Sequence, residues 1–168
     1  MSAPEINNLS VGADSHAATI KHKWLYMLTA LLSLIGLADA IYLTVKHLTG
    51  QSVQCTISTG CDAVLSSPYA SIGGYPLAAL GALAYFTVFS LATLALYGYR
   101  IARTLLIIVV GLMTLMTLRL IYLQAFVLNQ YCEFCLLSAA ITFSLAGLML
   151  VALLNRRDAE TQSRTSDS

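Results

Sequence analysis

The chain has 168 residues, of which 58% are hydrophobic and only 10% are charged, and its formal net charge is +1. This composition excludes an ordinary soluble globular domain and is typical of a chain that has lipid as its solvent. We therefore expect membrane lipid and no nucleic acid among its partners.

Four apolar stretches each reach the roughly 20 residues that a helix needs to cross about 30 Å of hydrocarbon. They are Trp24–Val45, Leu77–Tyr97, Arg103–Leu128 and Cys132–Leu154. The sequence thus predicts an all-α integral membrane protein, with one four-helix transmembrane domain over residues 21–155. The polar ends, 1–20 and 156–168, have the composition of disordered tails.

The first apolar stretch has some features of a cleaved signal peptide. Lys21 and Lys23 supply a basic flank, and Ala38-Asp39-Ala40 imitates a cleavage site. Cleavage there would leave Ile41–Leu48 as an apolar stub, and the polar segment before Lys21 is unusually long. We therefore expect a retained membrane helix.

The basic residues predict the orientation of the bundle. With four spans, both termini lie on one side, and only Lys46 lies on the other. The side of the termini carries Lys21, Lys23, Arg100, Arg103, Arg156, Arg157 and Arg164. This bias predicts cytoplasmic termini, so the Leu48–Pro76 loop and the Asn129–Tyr131 turn are expected outside. All four cysteines then face an oxidising compartment, where disulfides persist.

The first two cysteines lie in the loop between the first two spans. Cys55 and Cys61 are six positions apart in a polar stretch without helical periodicity, so a bridge between them would close a small loop. The half-apolar run Val64–Ala70 predicts a short amphipathic helix on the membrane surface. The following Gly73–Pro76 segment indicates a turn into the second span.

The other two cysteines, Cys132 and Cys135, form a C-x-x-C motif at the start of the fourth span. Residues three apart on a helix are neighbours, so the two sulfurs can form or break a bridge with little backbone movement. The positive end of the helix dipole favours a thiolate there, whereas Glu133 opposes it. The motif is expected near the membrane surface, within reach of lipid-soluble molecules.

Three interpretations of the four cysteines remain open from spacing alone. They can form two structural disulfides. They can supply four zinc ligands, although the spacing is not that of a zinc finger. They can also exchange disulfides between the pairs and carry electrons. We favour exchange and expect no metal, because a C-x-x-C motif at the end of a membrane helix is a poor place for a purely structural bridge.

The pattern resembles the vitamin K epoxide reductase family. The matching residues read Cys55-x5-Cys61-Asp62-x-Val64-Leu65-x-Ser67-x-Tyr69-Ala70, then Gly74-x-Pro76-Leu77-x3-Gly81-x3-Tyr85, then Cys132-x2-Cys135. Tyr42-Leu43-Thr44, at the end of the first span, fits as well. The resemblance covers roughly Trp24 to Leu154 and implies a four-helix bundle around a quinone, capped by the first loop.

The resemblance also implies roles for individual residues. Cys132 and Cys135 would be the active-site pair, with Cys135 nearer the quinone. Cys55 and Cys61 would shuttle electrons from a thioredoxin-like partner, and Ser67 would be the loop serine near the quinone. Animal members have an Asn and a Tyr that contact vitamin K, where this chain has Leu77 and Ala139. This departure favours plain quinone reduction, as in bacterial members.

These considerations predict a membrane thiol:quinone oxidoreductase that supports protein disulfide formation. Electrons would pass from a separate thioredoxin-like (DsbA-like) extracytoplasmic protein to the loop pair, to the active-site pair and then to ubiquinone or menaquinone. The expected location is a bacterial inner (plasma) membrane. The alternatives are a reductase that recycles a quinone or vitamin K epoxide, and a non-catalytic scaffold held by disulfides.

The quinone is expected among the outer ends of the spans, against the loop helix. By position, the candidate contacts are Leu65, Tyr69, Leu80, Ala84 and Ser138, beside the loop serine Ser67. Ser138 lies one turn below Cys135 and carries a hydroxyl.

Two charged residues lie within the predicted spans. Asp39 is in the first span and Arg119 is in the third, and helix rise places both roughly 13–15 Å below the outer surface. Since an intramembrane charge is costly, we expect the two residues to form a buried ion pair or to share a polar network. The competing hypothesis is that one of them delivers protons to the quinone.

Overall fold

The computed structural model describes residues 3–53, 61–72 and 75–166. This part of the chain contains four helices that are long and apolar enough to span a membrane, Lys23–Leu48, Leu77–Leu96, Arg100–Leu128 and Glu133–Asn155. They agree with the four predicted spans to within a few residues. The predicted all-α membrane bundle is therefore confirmed.

The terminal helices are longer than their membrane spans. Helix α1 is Ala3–Leu48 and helix α5 is Glu133–Ser166. Residues 3–20 and 156–166, for which we expected disorder, thus continue these two helices in the structure. Extending a helix that has already formed costs far less than starting a new one.

The four long helices form a closed ring. The two between the terminal helices are α3, Leu77–Leu96, and α4, Arg100–Tyr122. Helix α1 packs on α3 and α5, and α4 packs on the same two helices. Because the chain runs up and down, the α1–α3 loop and the α4–α5 turn lie at one end of the bundle, here called the cysteine end.

The core and the surface of the bundle are both apolar. Fully buried side chains such as Val88, Leu106 and Leu145 fill the middle of the ring. Large apolar side chains also point outward, among them Ile35, Leu83 and Leu112. An exposed apolar belt of this kind is expected where lipid replaces water as the solvent.

One close approach between α1 and α3 depends on a glycine. A Cβ atom on Gly36 would lie 2.6 Å from Cζ of Tyr85, so any larger residue there would displace the ring. Tyr85 is almost fully buried, and its hydroxyl reaches across the bundle to α5. Gly36 therefore allows a tyrosine to lie between the helices.

The loop segment at the cysteine end differs in detail from the predicted single helix over Val64–Ala70. Helix α2 is Cys61–Leu65, and a 3-10 turn follows at Pro68–Ala70. Ser67 lies between the two helical segments and has extended backbone angles (φ −67°, ψ 153°), which a residue before proline prefers. Two short strands, β1 (Ser71–Ile72) and β2 (Tyr75–Pro76), then pair antiparallel and lead into α3.

The cysteine end of α4 leaves regular α-helical geometry. A π-helical turn spans Leu123–Leu128, and Asn129 ends it in the left-handed region with φ 49°. Asn is among the residues that tolerate this conformation best. The wider turn places Gln124 inside the bundle with only 4% of its surface exposed. A polar side chain thereby reaches the start of α5.

Candidate active site

The C-x-x-C motif lies at the beginning of α5 and is held by two hydrogen bonds and a ring contact. The backbone N–H of Cys132 donates to Oε1 of Gln124 at 3.1 Å, and the backbone N–H of Cys135 donates to Sγ of Cys132 at 3.4 Å. Phe134, between the cysteines, packs on Tyr42 of α1 with ring centroids 5.5 Å apart. The motif is thus fixed against both α1 and α4.

The two cysteines of the motif are free thiols in different surroundings. Cys132 is fully buried, whereas Cys135 is partly exposed. The side-chain hydrogen bond with Cys135 is the main cause that lowers the pKa of Cys132, to about 7. Backbone N–H groups of Phe134 and Cys135 add to this effect, while burial and the Asp39 charge oppose it. The lowered pKa favours the thiolate of Cys132, which is the reactive form in disulfide exchange.

Cys61 lies close to this pair in the fold. It is buried and disulfide-bonded, and it shares a buried cluster with Cys132, Leu43 and Val64. Cys132 and Cys135 are free, so neither is its partner. Cys55 lies outside the described residues, so the Cys55–Cys61 pairing stays a prediction.

Next to the motif, the cysteine end contains a cavity of about 140 Å³. Cys135 lines this cavity, together with residues of α1, α3, α4, α5 and the loop segment. An apolar cavity of about 150 Å³ is large enough to hold a benzene ring. The space beside the Cys135 thiol therefore suits a six-membered ring.

The predicted quinone contacts divide into two groups. Leu65, Ser67, Tyr69 and Ser138 line the cavity. Leu80 and Ala84 are not among the described residues that line it, and Leu80 is 45% exposed on the outside of α3. The wall that α3 presents consists of Leu77, Ala78 and Gly81. Leu80 and Ala84 thus lie outside the lining of this cavity, unlike the other four predicted contacts.

The two positions that depart from the animal pattern, Leu77 and Ala139, both line the cavity. They contribute apolar atoms where an amide and a phenol would offer hydrogen bonds. This difference removes two polar groups from the wall of the cavity.

Several polar residues of the cavity were not predicted as quinone contacts. The cavity is also lined by Asp39, His47, Thr117 and Gln124. Asp39, Leu43 and His47 recur every four residues and hence lie on one face of α1. This spacing could have predicted from the sequence that Asp39 and His47 share one face of α1. The inward position of Gln124 could not be predicted in this way, because it depends on the π-helical turn.

The expected ion pair between Asp39 and Arg119 is wrong. Oδ2 of Asp39 is buried and has no hydrogen-bond partner among the described residues. Arg119 is exposed on the outside of α4. Equal depth along two helices does not determine the direction in which their side chains point.

Ser138 belongs to a hydroxyl network inside the bundle. Its Oγ lies 2.8 Å from the hydroxyl oxygen of Tyr85, which also lies 3.1 Å from Oγ1 of Thr142. The hydroxyl of Thr142 donates to the backbone carbonyl of Ser138 at 3.0 Å. The network fixes the rotamer of Ser138 at the cavity wall and links α3 to α5.

A comparison with protein families agrees with this architecture. The model of the family described as "Vitamin K epoxide reductase family" matches residues 27–150. The matched region contains the four cysteines, the cavity and nearly all of the four spans. Members of this family are membrane oxidoreductases that act on quinones. This chain therefore belongs to the vitamin K epoxide reductase family.

Proposed function

We propose that the protein is a thiol:quinone oxidoreductase that oxidises protein thiols outside the membrane at the expense of quinone. The observation that carries this proposal is that Cys135 lines a ring-sized cavity while its neighbour Cys132 has a pKa near neutrality. One cysteine thus faces the electron acceptor, and the other has the reactivity needed for disulfide exchange.

The proposed reaction begins at the loop. A thiolate of a thioredoxin-like protein attacks the Cys55–Cys61 disulfide, and a second thiol of that protein completes its own disulfide. The released loop dithiol then reduces the Cys132–Cys135 disulfide by the same exchange. The shared buried cluster of Cys61 and Cys132 supports this route, because exchange requires the sulfurs to approach each other.

The second half of the reaction takes place at the cavity. Cys135 attacks the quinone and Cys132 then attacks Sγ of Cys135, which leaves two electrons on the ring and restores the disulfide. The quinone becomes hydroquinone when it also takes up two protons. The reduced C-x-x-C pair is the state that would donate electrons to a quinone.

The substrate is proposed to be a plain quinone, ubiquinone or menaquinone. The apolar Leu77 and Ala139 at the cavity wall support this choice over reduction of a vitamin K epoxide. The proposed location is a bacterial inner membrane with cytoplasmic termini, which rests on the bias of the basic residues.

The test is anaerobic quinone reduction by the purified protein, with a reduced thioredoxin-like protein as donor. We expect hydroquinone and oxidised donor in equal amounts, and no turnover by Cys135→Ser. Cys61→Ser should lose turnover with the protein donor but keep part of it with a small dithiol that reaches Cys132–Cys135 directly. Wild-type turnover by Cys135→Ser would disprove the redox assignment, and reduction of only the epoxide would favour the recycling enzyme.

A further inference from the structure

One carboxyl oxygen of Asp39, in the middle of a membrane span, has no partner among the described residues that would explain its position. This atom, Oδ2, is buried and forms no hydrogen bond with any described residue. Arg119, in the last turn of α4, is exposed and is not among the described residues that line the cavity. Carboxyl groups inside membrane spans are costly and usually mark ion paths or proton relays.

Asp39 and the Cys135 thiol line the same cavity. The carboxyl group lies on the face of α1 that also carries Leu43 and His47, and the Cys135 thiol lies at the start of α5. A ring held between α1 and α5 would have Cys135 on one side and Asp39 on the other.

We infer that Asp39 is the acid that protonates the quinone oxygen during reduction. This inference deepens the proposed function and rests on it. A quinone that receives two electrons without a proton would become a dianion in an apolar cavity, which is a costly place for charge. A carboxyl group at the cavity wall supplies the proton where that charge develops.

The atoms and electrons of this step balance. The reactants are the quinone, the Cys132 thiolate, the Cys135 thiol and the Asp39 carboxylic acid. The S–S bond forms, two electrons pass to the ring, and the protons of Cys135 and Asp39 go to its two oxygens. The products are the hydroquinone, the disulfide and the Asp39 carboxylate, with one negative charge on each side.

Asp39 must then regain a proton from outside. His47 lies two helical turns nearer the cysteine end on the same face of α1, about 12 Å away along the helix axis, and it is exposed. The cavity joins the two residues, so water or His47 itself can return the proton. The other titratable residues that line the cavity are Tyr69 and Cys135.

The remaining polar groups at the cavity are less suited to this role. The Gln124 amide holds the Cys132 backbone through its oxygen and has no proton that it readily releases. The Ser138 hydroxyl is hydrogen-bonded to Tyr85 and serves better as a neutral contact for a carbonyl. Asp39 is the acidic side chain among the described residues that line the cavity.

The test measures the two half-reactions separately in the full-length protein. Rapid mixing of reduced protein with a short-chain ubiquinone reports the quinone step, and mixing of oxidised protein with dithiothreitol reports reduction of the cysteines. We expect Asp39→Asn to slow the quinone step by about 10²-fold or more, as for loss of a general acid. Reduction by dithiothreitol should change less than threefold, and Asp39→Glu should recover most of the quinone step.

Two further variants make the result decisive. Arg119→Gln removes the other intramembrane charge, which points away from the cavity, and should keep the wild-type rate. Asp39→Leu also removes the acid and serves where Asp39→Asn does not fold. A wild-type quinone step in any folded variant without the acid would overturn the inference. Absence of quinone reduction by the wild-type protein would instead overturn the proposed function.

Discussion

The contact between Gly36 and Tyr85 allows a sharp test of the packing that supports the cavity wall. In Gly36→Ala, the new Cβ would lie 2.6 Å from Cζ of Tyr85, and the buried ring has little free space around it. Overpacking of this kind typically costs about 1–3 kcal/mol. If the ring moves, its hydroxyl also leaves Ser138 and Thr142, and each lost hydrogen bond costs about 0.5–1.5 kcal/mol.

One smaller effect acts in the opposite direction. Alanine is better than glycine inside a helix by about 0.5–1 kcal/mol. With both hydrogen bonds lost, the net destabilisation expected for Gly36→Ala is therefore about 1–5 kcal/mol. At about 2–4 °C per kcal/mol for a chain of this size, the midpoint of thermal unfolding in detergent should fall by several degrees. Quinone turnover should fall as well, because Ser138 loses the partner that fixes its rotamer.

The chain offers two matched controls, Gly111 and Gly147. A Cβ on either would meet nothing within 4 Å, so Gly111→Ala and Gly147→Ala should have unchanged or slightly higher midpoints. All three substitutions make the same chemical change in a helix, and only the surroundings differ. A midpoint for Gly36→Ala equal to or above those of the controls would refute the packing argument.

Three further predictions concern the charges and the topology. The ultraviolet absorbance of the Cys132 thiolate in the reduced protein should appear as the pH rises through about 7 and should be lost below that pH. In Cys135→Ala the midpoint of this titration should move to higher pH, because the variant removes the main cause of the lowered pKa of Cys132. The stability losses of Asp39→Asn and Arg119→Gln should add in the double variant to within about 0.5 kcal/mol. An interaction energy between the two sites above about 1 kcal/mol would instead support an ion pair between them. A reporter domain fused after Asn155 should be active in the cytoplasm, and activity outside would reverse the proposed orientation.

The architecture of this protein could be predicted from its sequence because lipid imposes strict requirements on the chain. Every backbone polar group inside the bilayer must find a partner within the protein, so each long apolar stretch has to be a helix. Spans such as Leu77–Leu96 were accordingly predicted almost to the residue. The cysteine motifs carried the family resemblance, since thiols are scarce and their spacing is distinctive.

The directions of individual side chains were much harder to predict. Successive residues of a helix differ by about 100° in direction, so an error of one position turns a wall residue outward. On α3, for example, Gly81 lines the cavity, whereas its neighbour Leu80 does not. The relative rotation of α1 and α4, on which a contact between Asp39 and Arg119 depends, could not be predicted from the sequence.

Because of the π-helical turn at Leu123–Leu128, the position of the C-x-x-C motif in α5 depends on the number of residues at the end of α4. An α-helix closes its hydrogen bonds over four residues and a π-helix over five, so this turn holds one residue more than α-helical geometry would need. Deleting Ala125 would let α4 revert to regular winding and would turn Gln124 and Asn129 out of register with each other. The Cys132 backbone would then lose its anchor although α5 itself is unaltered. In this family member, a single-residue deletion in an apolar helix, with no change to any cysteine, is therefore expected to be as damaging as a change in the C-x-x-C motif.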